Sequence, residues 1–221
     1  MRSELFAREN LPQQSGDRYL LQNPQTLRVG LGPDVLAAKG SMIAYRGNVT
    51  FDHEGAGSIG KLAKKVFTSE NLALMRVRGQ GEVYFAESAG YVNLLHLENE
   101  GISINSRNLL AFDADLQWDI NRTKGAGMMG AGLFNTTIGG TGTVAIVAVG
   151  LVTVLDASQG PVYVDSDAAV CWSANLAPGV HNSMNAKSLL RGGTGEALQY
   201  VFNGPGFVVV QAYEWAPVPT S

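Results

Sequence analysis

One short phrase occurs three times in this chain and constrains its fold more than any other feature. The copies are Gly40-Ser41-Met42-Ile43-Ala44-Tyr45-Arg46-Gly47-Asn48-Val49, Arg107-Asn108-Leu109-Leu110-Ala111-Phe112-Asp113-Ala114-Asp115-Leu116 and Asp167-Ala168-Ala169-Val170-Cys171-Trp172-Ser173-Ala174-Asn175-Leu176. A second phrase follows each one: Gly79-Gln80-Gly81-Glu82-Val83-Tyr84-Phe85, Gly140-Thr141-Gly142-Thr143-Val144-Ala145-Ile146 and Gly204-Pro205-Gly206-Phe207-Val208-Val209-Val210. Matching order at a period of about 60 residues signals an internal triplication. A unit that short cannot bury its own apolar face, so the units are expected to stack into one body. The reading is an N-terminal arm over 1–25, a single all-β domain over 26–216 and a C-terminal tail over 217–221. The body divides into three repeats at about 26–97, 98–157 and 158–216.

The body reads as strands because aliphatic and aromatic residues cluster in short, partly alternating runs. Such runs are Glu82–Ala86, Val92–Leu97, Leu109–Ile120, Val162–Trp172 and Phe207–Tyr213. Val144–Leu155 is apolar on both faces, and Gly150 within it marks a bulge or sharp bend. The Gly-x-Gly ahead of each second phrase is read as a tight turn that launches a strand. Between the two phrases of each repeat lies an insert: Gly55–Glu70, Asn121–Gly132 and Val180–Gly195. In a body of three similar units these inserts emerge on one face. Ser58–Phe67 has helical spacing, with Ile59, Leu62 and Val66 interleaved by lysines.

Composition narrows the function classes. Sixteen basic against nineteen acidic residues give a net charge of −3, which offers no general attraction to nucleic acid. Charged residues are only 16% of the chain, below the roughly 25% usual in soluble domains. So little obligatorily wet surface points to a homo-oligomer. The single cysteine, Cys171, forms no internal disulfide and suits a reducing compartment. Met1–Asn10 lacks an apolar signal core, and the longest apolar run, Thr143–Leu155, is too short to span a bilayer. The expected location is cytoplasmic, with membrane association as an added possibility.

The motifs that usually announce chemistry do not hold together. Gly55-Ala56-Gly57-Ser58-Ile59-Gly60-Lys61-Leu62 nearly matches a phosphate-binding loop, but Leu62 stands where a magnesium-binding Ser or Thr belongs. A second Gly-x-Gly-x-x-Gly at Gly125–Gly130 occupies the corresponding insert. No alternation of strands and helices supports a dinucleotide site. Ala56–Gly60 is a loose nucleophile elbow in the wrong fold class. His53, His96 and His181 show no metal-ligand spacing. Asp113 and Asp115 are read as polar residues at strand ends. Cys171, beside Trp172, is read as a buried structural thiol. No catalytic residue, metal ligand or cofactor is assigned. The candidate interaction loop is Ile59, Lys61, Leu62, Lys64, Lys65 and Phe67, joined by Met128 and Met129 at the tip of the next insert. Lysines among apolar residues suit an anionic membrane or a partner groove.

The phrases around these inserts resemble a known family. They are Leu20–Val29, Val35–Tyr45, Leu74–Tyr84, Gly193–Glu196 and Gly204–Gln211. Their number and order are similar to those of the altered-inheritance-of-mitochondria (AIM) family, in its actinobacterial-type form, over nearly the whole chain from Leu20. The resemblance implies a fold similar to the tryptophan RNA-binding attenuation protein, a shortened double-stranded β-helix or rolled β-sandwich. Fungal relatives are associated with mitochondrial inner-membrane organisation, and no catalytic residue is established that would transfer here. Tryptophan and RNA binding belong to the namesake of the fold and do not follow. The expected function is a non-enzymatic oligomeric β scaffold or binding module. It would present Gly-rich, partly apolar loops to a protein or membrane partner. The alternative is a small-molecule binder or enzyme using a cavity in the rolled sheet.

Overall fold

The computed structural model describes residues 3–13, 15–54, 73–122, 134–181 and 199–213. Its strands are β1 Tyr19–Asn23, β2 Thr26–Leu31, β3 Val35–Ala38, β4 Met42–Glu54, β5 Leu74–Phe85, β6 Tyr91–Asn105, β7 Leu109–Asp113, β8 Gln117–Arg122, β9 Phe134–Ala148, β10 Val152–Asp156, β11 Val162–Asp165, β12 Ala169–Ser173, β13 Gly179–His181, β14 Gln199–Phe202 and β15 Phe207–Gln211. The fold is all-β. Short 3-10 turns lie at Glu4–Phe6, Arg8–Asn10 and Ser106–Asn108. Strands form where side chains alternate between core and solvent. In β14 Tyr200 and Phe202 point inward between half-buried Gln199 and Val201.

Twelve strands make one antiparallel sheet in the order β1-β2-β5-β3-β7-β9-β6-β12-β15-β10, with β4 also on β5 and β8 also on β9. A second sheet has the order β11-β14-β13. The recurring phrases pair with one another in all three places. Met42 lies opposite Phe85, Leu109 opposite Ile146 and Ala169 opposite Val210. Each pairing then shifts register at the next step, between Met42 and Ala44, Leu109 and Ala111, and Ala169 and Cys171. A bulge of this kind bends its strand and raises the local twist.

Three expectations are corrected. The Gly-x-Gly pairs do not launch strands in the first two copies: Gly79 and Gly81 lie inside β5, and Gly140 and Gly142 inside β9. Gly79 and Gly81 have φ of +116° and +143°, and a Cβ on either would overlap a carbonyl oxygen of β4, that of Asn48 or Arg46. Only glycine permits this close crossing at positive φ. In the third copy Gly204 and Gly206 separate β14 in the smaller sheet from β15 in the larger. In the first copy the glycines therefore serve the close approach of β5 to its partner β4 rather than a turn. Leu109–Ile120 is also not one strand. It breaks into β7 and β8 at a turn closed by the Leu116 N–H donating to the Asp113 carbonyl (3.1 Å). Asp113 and Asp115 mark this turn in the sequence, while the buried, apolar Leu116 carries the apolar run across it. Val162–Trp172 likewise divides into β11 and β12, and Gly150 (φ +78°) makes the bend between β9 and β10.

The core forms three clusters along the sheet. One gathers Val35, Val77, Val83 and Phe85, one Ile102, Ile138, Val144 and Ile146, and one Trp172, Tyr200, Phe202 and Val208. Trp172 stacks against Tyr200 and Phe202 at 5.9 and 5.4 Å between ring centroids, tying the larger sheet to the smaller. Burial of aromatics this large dominates local packing energy.

Candidate functional site

The three hairpins β4–β5, β8–β9 and β13–β14 are paired at the border of the described residues. Glu54 lies opposite Leu74, Arg122 opposite Phe134 and His181 opposite Gln199. Each hairpin is continued by one of the inserts. The sequence-derived interaction residues Ile59, Lys61, Leu62, Lys64, Lys65, Phe67, Met128 and Met129 lie in these inserts, outside the described residues. The helical reading of Ser58–Phe67 and both Gly-x-Gly-x-x-Gly motifs fall there too. The structure supplies the mounts on which those segments sit.

The first mount is clamped by charge. Arg76 donates to both Glu54 carboxylate oxygens (2.8 and 3.1 Å) and to Asp34 (3.3 Å). Arg78 approaches Asp34 (3.3 Å) and Asp52 (3.7 Å). The hydrogen bond from Arg76 holds the Glu54 carboxyl below its usual range, against an opposing effect of burial. A two-pronged guanidinium–carboxylate pair fixes geometry as well as charge, and it ties Glu54 of β4 to Arg76 of β5.

Two further polar nodes escape sequence reasoning. Glu82 accepts from Arg28 (3.1 Å) and from Arg46 (2.5 Å), while Arg28 also donates to the carbonyls of Ser15 (3.2 Å) and Asp17 (3.1 Å). This fastens the stretch before β1 to the sheet, and β1 itself, inside the stretch read as an arm, pairs with β2. Asp113 accepts from Arg18, from the Tyr19 hydroxyl (3.0 Å) and from the Thr143 N–H (2.8 Å). Burial, then the Asp113 charge, pushes the Tyr19 hydroxyl far above the usual phenol range. With its oxygens occupied on three sides, Asp113 acts as a clamp that closes the strand end on β1. Arg18 and Asp113, like Arg28 and Glu82, are far apart in sequence, and no local spacing announces such pairs.

His53, His96 and His181 lie on β4, β6 and β13 with exposed side chains. His96 meets Thr143 Oγ1 at 3.2 Å, and His181 meets the Tyr163 ring edge-on at 5.5 Å. Among the described residues no group of His, Cys, Asp and Glu converges as a metal centre. Cys171 is a buried free thiol whose pKa burial pushes up to about 12, which starves it of thiolate. Two surface recesses open on the described body. One, of about 500 Å³, lies between Gln13, Leu21, Pro24, Tyr91 and Leu151. The other, of about 730 Å³, lies over Pro12, Arg28, Arg46 and Glu82. Among the described residues no helix is long and apolar enough to cross a membrane.

Comparison with known proteins places this sheet in a lineage. A protein of Streptococcus pyogenes serotype M6, named uncharacterized protein M6_Spy0233, is 25% identical over 194 residues, spanning 82% of this chain and 77% of that protein. The crystal structure of protein SPYM3_0169 from Streptococcus pyogenes superimposes with a TM-score of 0.70 at 22% identity, over 89% of this chain and 92% of that one. That likeness is one of fold. Residues 19–213, from the first strand of the sheet to just beyond the last, match the family described as mitochondrial biogenesis AIM24. The chain therefore belongs to the AIM24 family.

Proposed function

We propose that this chain is a non-enzymatic, homo-oligomeric β scaffold built from three pseudo-repeats, and that it presents its three inserts together to a partner surface. The body is then a shortened double-stranded β-helix similar to the tryptophan RNA-binding attenuation protein. The observation that carries the reading is the common level at which the three hairpins are still paired, Glu54 with Leu74, Arg122 with Phe134 and His181 with Gln199. Leu74, Phe134 and Gln199 each stand about a dozen residues before Phe85, Ile146 and Val210, the partners of Met42, Leu109 and Ala169 at the three register shifts. On that reading the three pairs lead into segments 55–72, 123–133 and 182–198 from equivalent positions of the three units. Rigid strands that hold variable segments at one end are a common arrangement for recognition. Ile59, Lys61, Leu62, Lys64, Lys65 and Phe67, with Met128 and Met129, form the presented surface. Several copies of it in an oligomer strengthen weak contacts by multivalency. The protein works in the cytoplasm, against an anionic membrane face or a protein docked there.

Flotation with phosphatidylglycerol–phosphatidylcholine vesicles tests this, comparing the intact chain with one lacking Gly57–Phe67. Juxtamembrane lysines contribute about 1 kcal/mol each, so loss of Lys61, Lys64 and Lys65 predicts binding weaker by about 100-fold. Equal flotation of both chains, or of neither, overturns the membrane form of the reading.

A further inference from the structure

Two seams join the sheet across the recurring units, and they use one register. At the first, β3 pairs with β7: Val35 lies opposite Asp113, Leu36 opposite Phe112 and Ala37 opposite Ala111. The Ala114 N–H extends it by donating to the Asp34 carbonyl (3.2 Å). At the second, β6 pairs with β12: Ile102 lies opposite Ser173, Ser103 opposite Trp172 and Ile104 opposite Cys171. The Ala174 N–H donates to the Gly101 carbonyl (3.1 Å). Each seam thus sets the strand just after a register shift against a strand whose other edge is held within its own unit. β3 is held by Val77, Arg76 and Met75 of β5, and β6 by Ile138, Thr137 and Thr136 of β9.

The same registers define a third pair of edges. β11 is held on one side by β14, with Val162, Tyr163 and Val164 opposite Phe202, Val201 and Tyr200. β4 is held on one side by β5, with its shift between Met42 and Ala44. Among the described residues β11 pairs only with β14 and β4 only with β5. Transferring the seam register sets Val162 opposite Arg46, Tyr163 opposite Tyr45 and Val164 opposite Ala44, with the Gly47 N–H donating to the Pro161 carbonyl. Burial marks the vacancy. Leu110 and Val170, which follow the first residue of each seam strand, are buried, whereas their counterpart Ile43 is 57% exposed. Phe112 and Trp172 are buried, whereas Tyr45 is 52% exposed; Leu36 and Ser103 are buried, whereas Tyr163 is 57% exposed. Unpaired strand edges carrying exposed apolar side chains are templates for another chain.

We infer that the outer edge of β4 (Ala44–Arg46) pairs with the outer edge of β11 (Val162–Val164) of a second copy of this chain, repeating the two internal seams between molecules. The choice of register rests on the three-unit reading proposed above. The two edges differ, so the contact is head-to-tail, and it propagates into a closed ring or an open helical filament rather than a twofold dimer. Ile43, Tyr45 and Tyr163 leave water at each new seam. An exposed aromatic pair across strands becomes the intermolecular counterpart of Leu36–Phe112 and Ser103–Trp172.

Disulfide trapping in the full-length chain tests the register. Directly opposed strand residues have Cα atoms about 4.5–5.5 Å apart, within the span of a disulfide. Tyr45→Cys and Tyr163→Cys replace exposed side chains, and the native Cys171 is buried and does not compete. Oxidation of an equimolar mixture of the two single variants is expected to give a covalent dimer, with neither variant linking alone. The double variant is expected to give a ladder or closed covalent rings. A Tyr45→Cys homodimer, an internal link at monomer mass in the double variant, or no link at all overturns the inference. Light scattering provides the second readout: the native chain is expected as a multi-copy assembly, and the Tyr45→Lys/Tyr163→Lys variant as a folded monomer. An assembly that survives the lysine pair overturns this seam but leaves the oligomeric scaffold standing. A monomeric native chain removes both, and vesicle binding that fails while the seam links removes only the membrane form of the loop-presentation reading.

Discussion

Replacing Gly79 by Ala separates backbone strain from close approach, and the structure allows the two to be weighed. Gly79 has φ +116°, and the added methyl would overlap the Asn48 carbonyl oxygen and stand 3.3 Å from the Val49 Cα. Gly160 is the control: its φ is +149°, but a Cβ there meets nothing within 4 Å. An Ala at Gly160 bears only the conformational cost, about 1–3 kcal/mol. At Gly79 the overlap is with backbone, so relief requires β4 to move off β5 where Val49 lies opposite Gly79. Losing two or three ladder hydrogen bonds adds about 1 kcal/mol each. The expected costs are therefore about 2 kcal/mol at Gly160 and about 5 kcal/mol at Gly79. For a chain of this size these correspond to melting temperatures lower by about 4–8 °C and about 10–20 °C. Gly140→Ala falls between, because its Cβ would meet only the Leu116 side chain (3.2 Å), which rotates away. Thermal melts followed by circular dichroism, supported by urea titration, measure the series. Equal losses at Gly79 and Gly160 refute the close approach of β4 to β5 at Gly79.

The remaining expectations concern the core and the first hairpin mount. Trp172→Ala removes the ring that joins the two sheets through Tyr200 and Phe202. It should cost about 4 kcal/mol and lower the melting temperature by about 8–16 °C; a loss below about 1 kcal/mol by urea titration contradicts the packing. Glu54 is held below its usual carboxyl range by Arg76, so its contribution is present above the unfolded value of 4.5 and is lost as pH falls through the lowered folded value. Glu54→Gln should flatten the fall in melting temperature between about pH 5 and about pH 3. An unchanged slope in the variant shows that the pair with Arg76 does not couple to folding.

Part of this architecture is legible in the chain because it rests on local spacing. Met42, Leu109 and Ala169 hold the same place in the first phrase, Phe85, Ile146 and Val210 the same place in the second, and these are the residues that face each other across the sheet. Alternation of core and surface side chains identifies the strands for the same reason. Asp113 and Asp115 signal a strand end between β7 and β8, but Leu116, which closes the turn, is buried and apolar and lets the run read as continuous. The glycines of Gly-x-Gly mislead because positive φ serves a strand kink as well as a turn. Asp113 is recognisable as a strand-end residue, but its role as the anchor of Arg18 and Tyr19 depends on contacts between distant segments. The segments proposed as interaction loops are legible only as inserts between paired phrases. Their mounts, from Glu54–Arg76 at the first hairpin to His181–Gln199 at the third, emerge once the register is known.

Hydrogen–deuterium exchange on the native chain, across a dilution series, tests most directly whether three equivalent units meet through one repeated seam. Peptides covering Ala111–Asp113 and Cys171–Ser173 should exchange slowly at every concentration, as paired interior edges do. Peptides covering Ala44–Arg46 and Val162–Val164 should match them when concentrated and exchange faster together on dilution. Fast exchange at both outer edges at every concentration, beside slow exchange at both internal seams, contradicts the account.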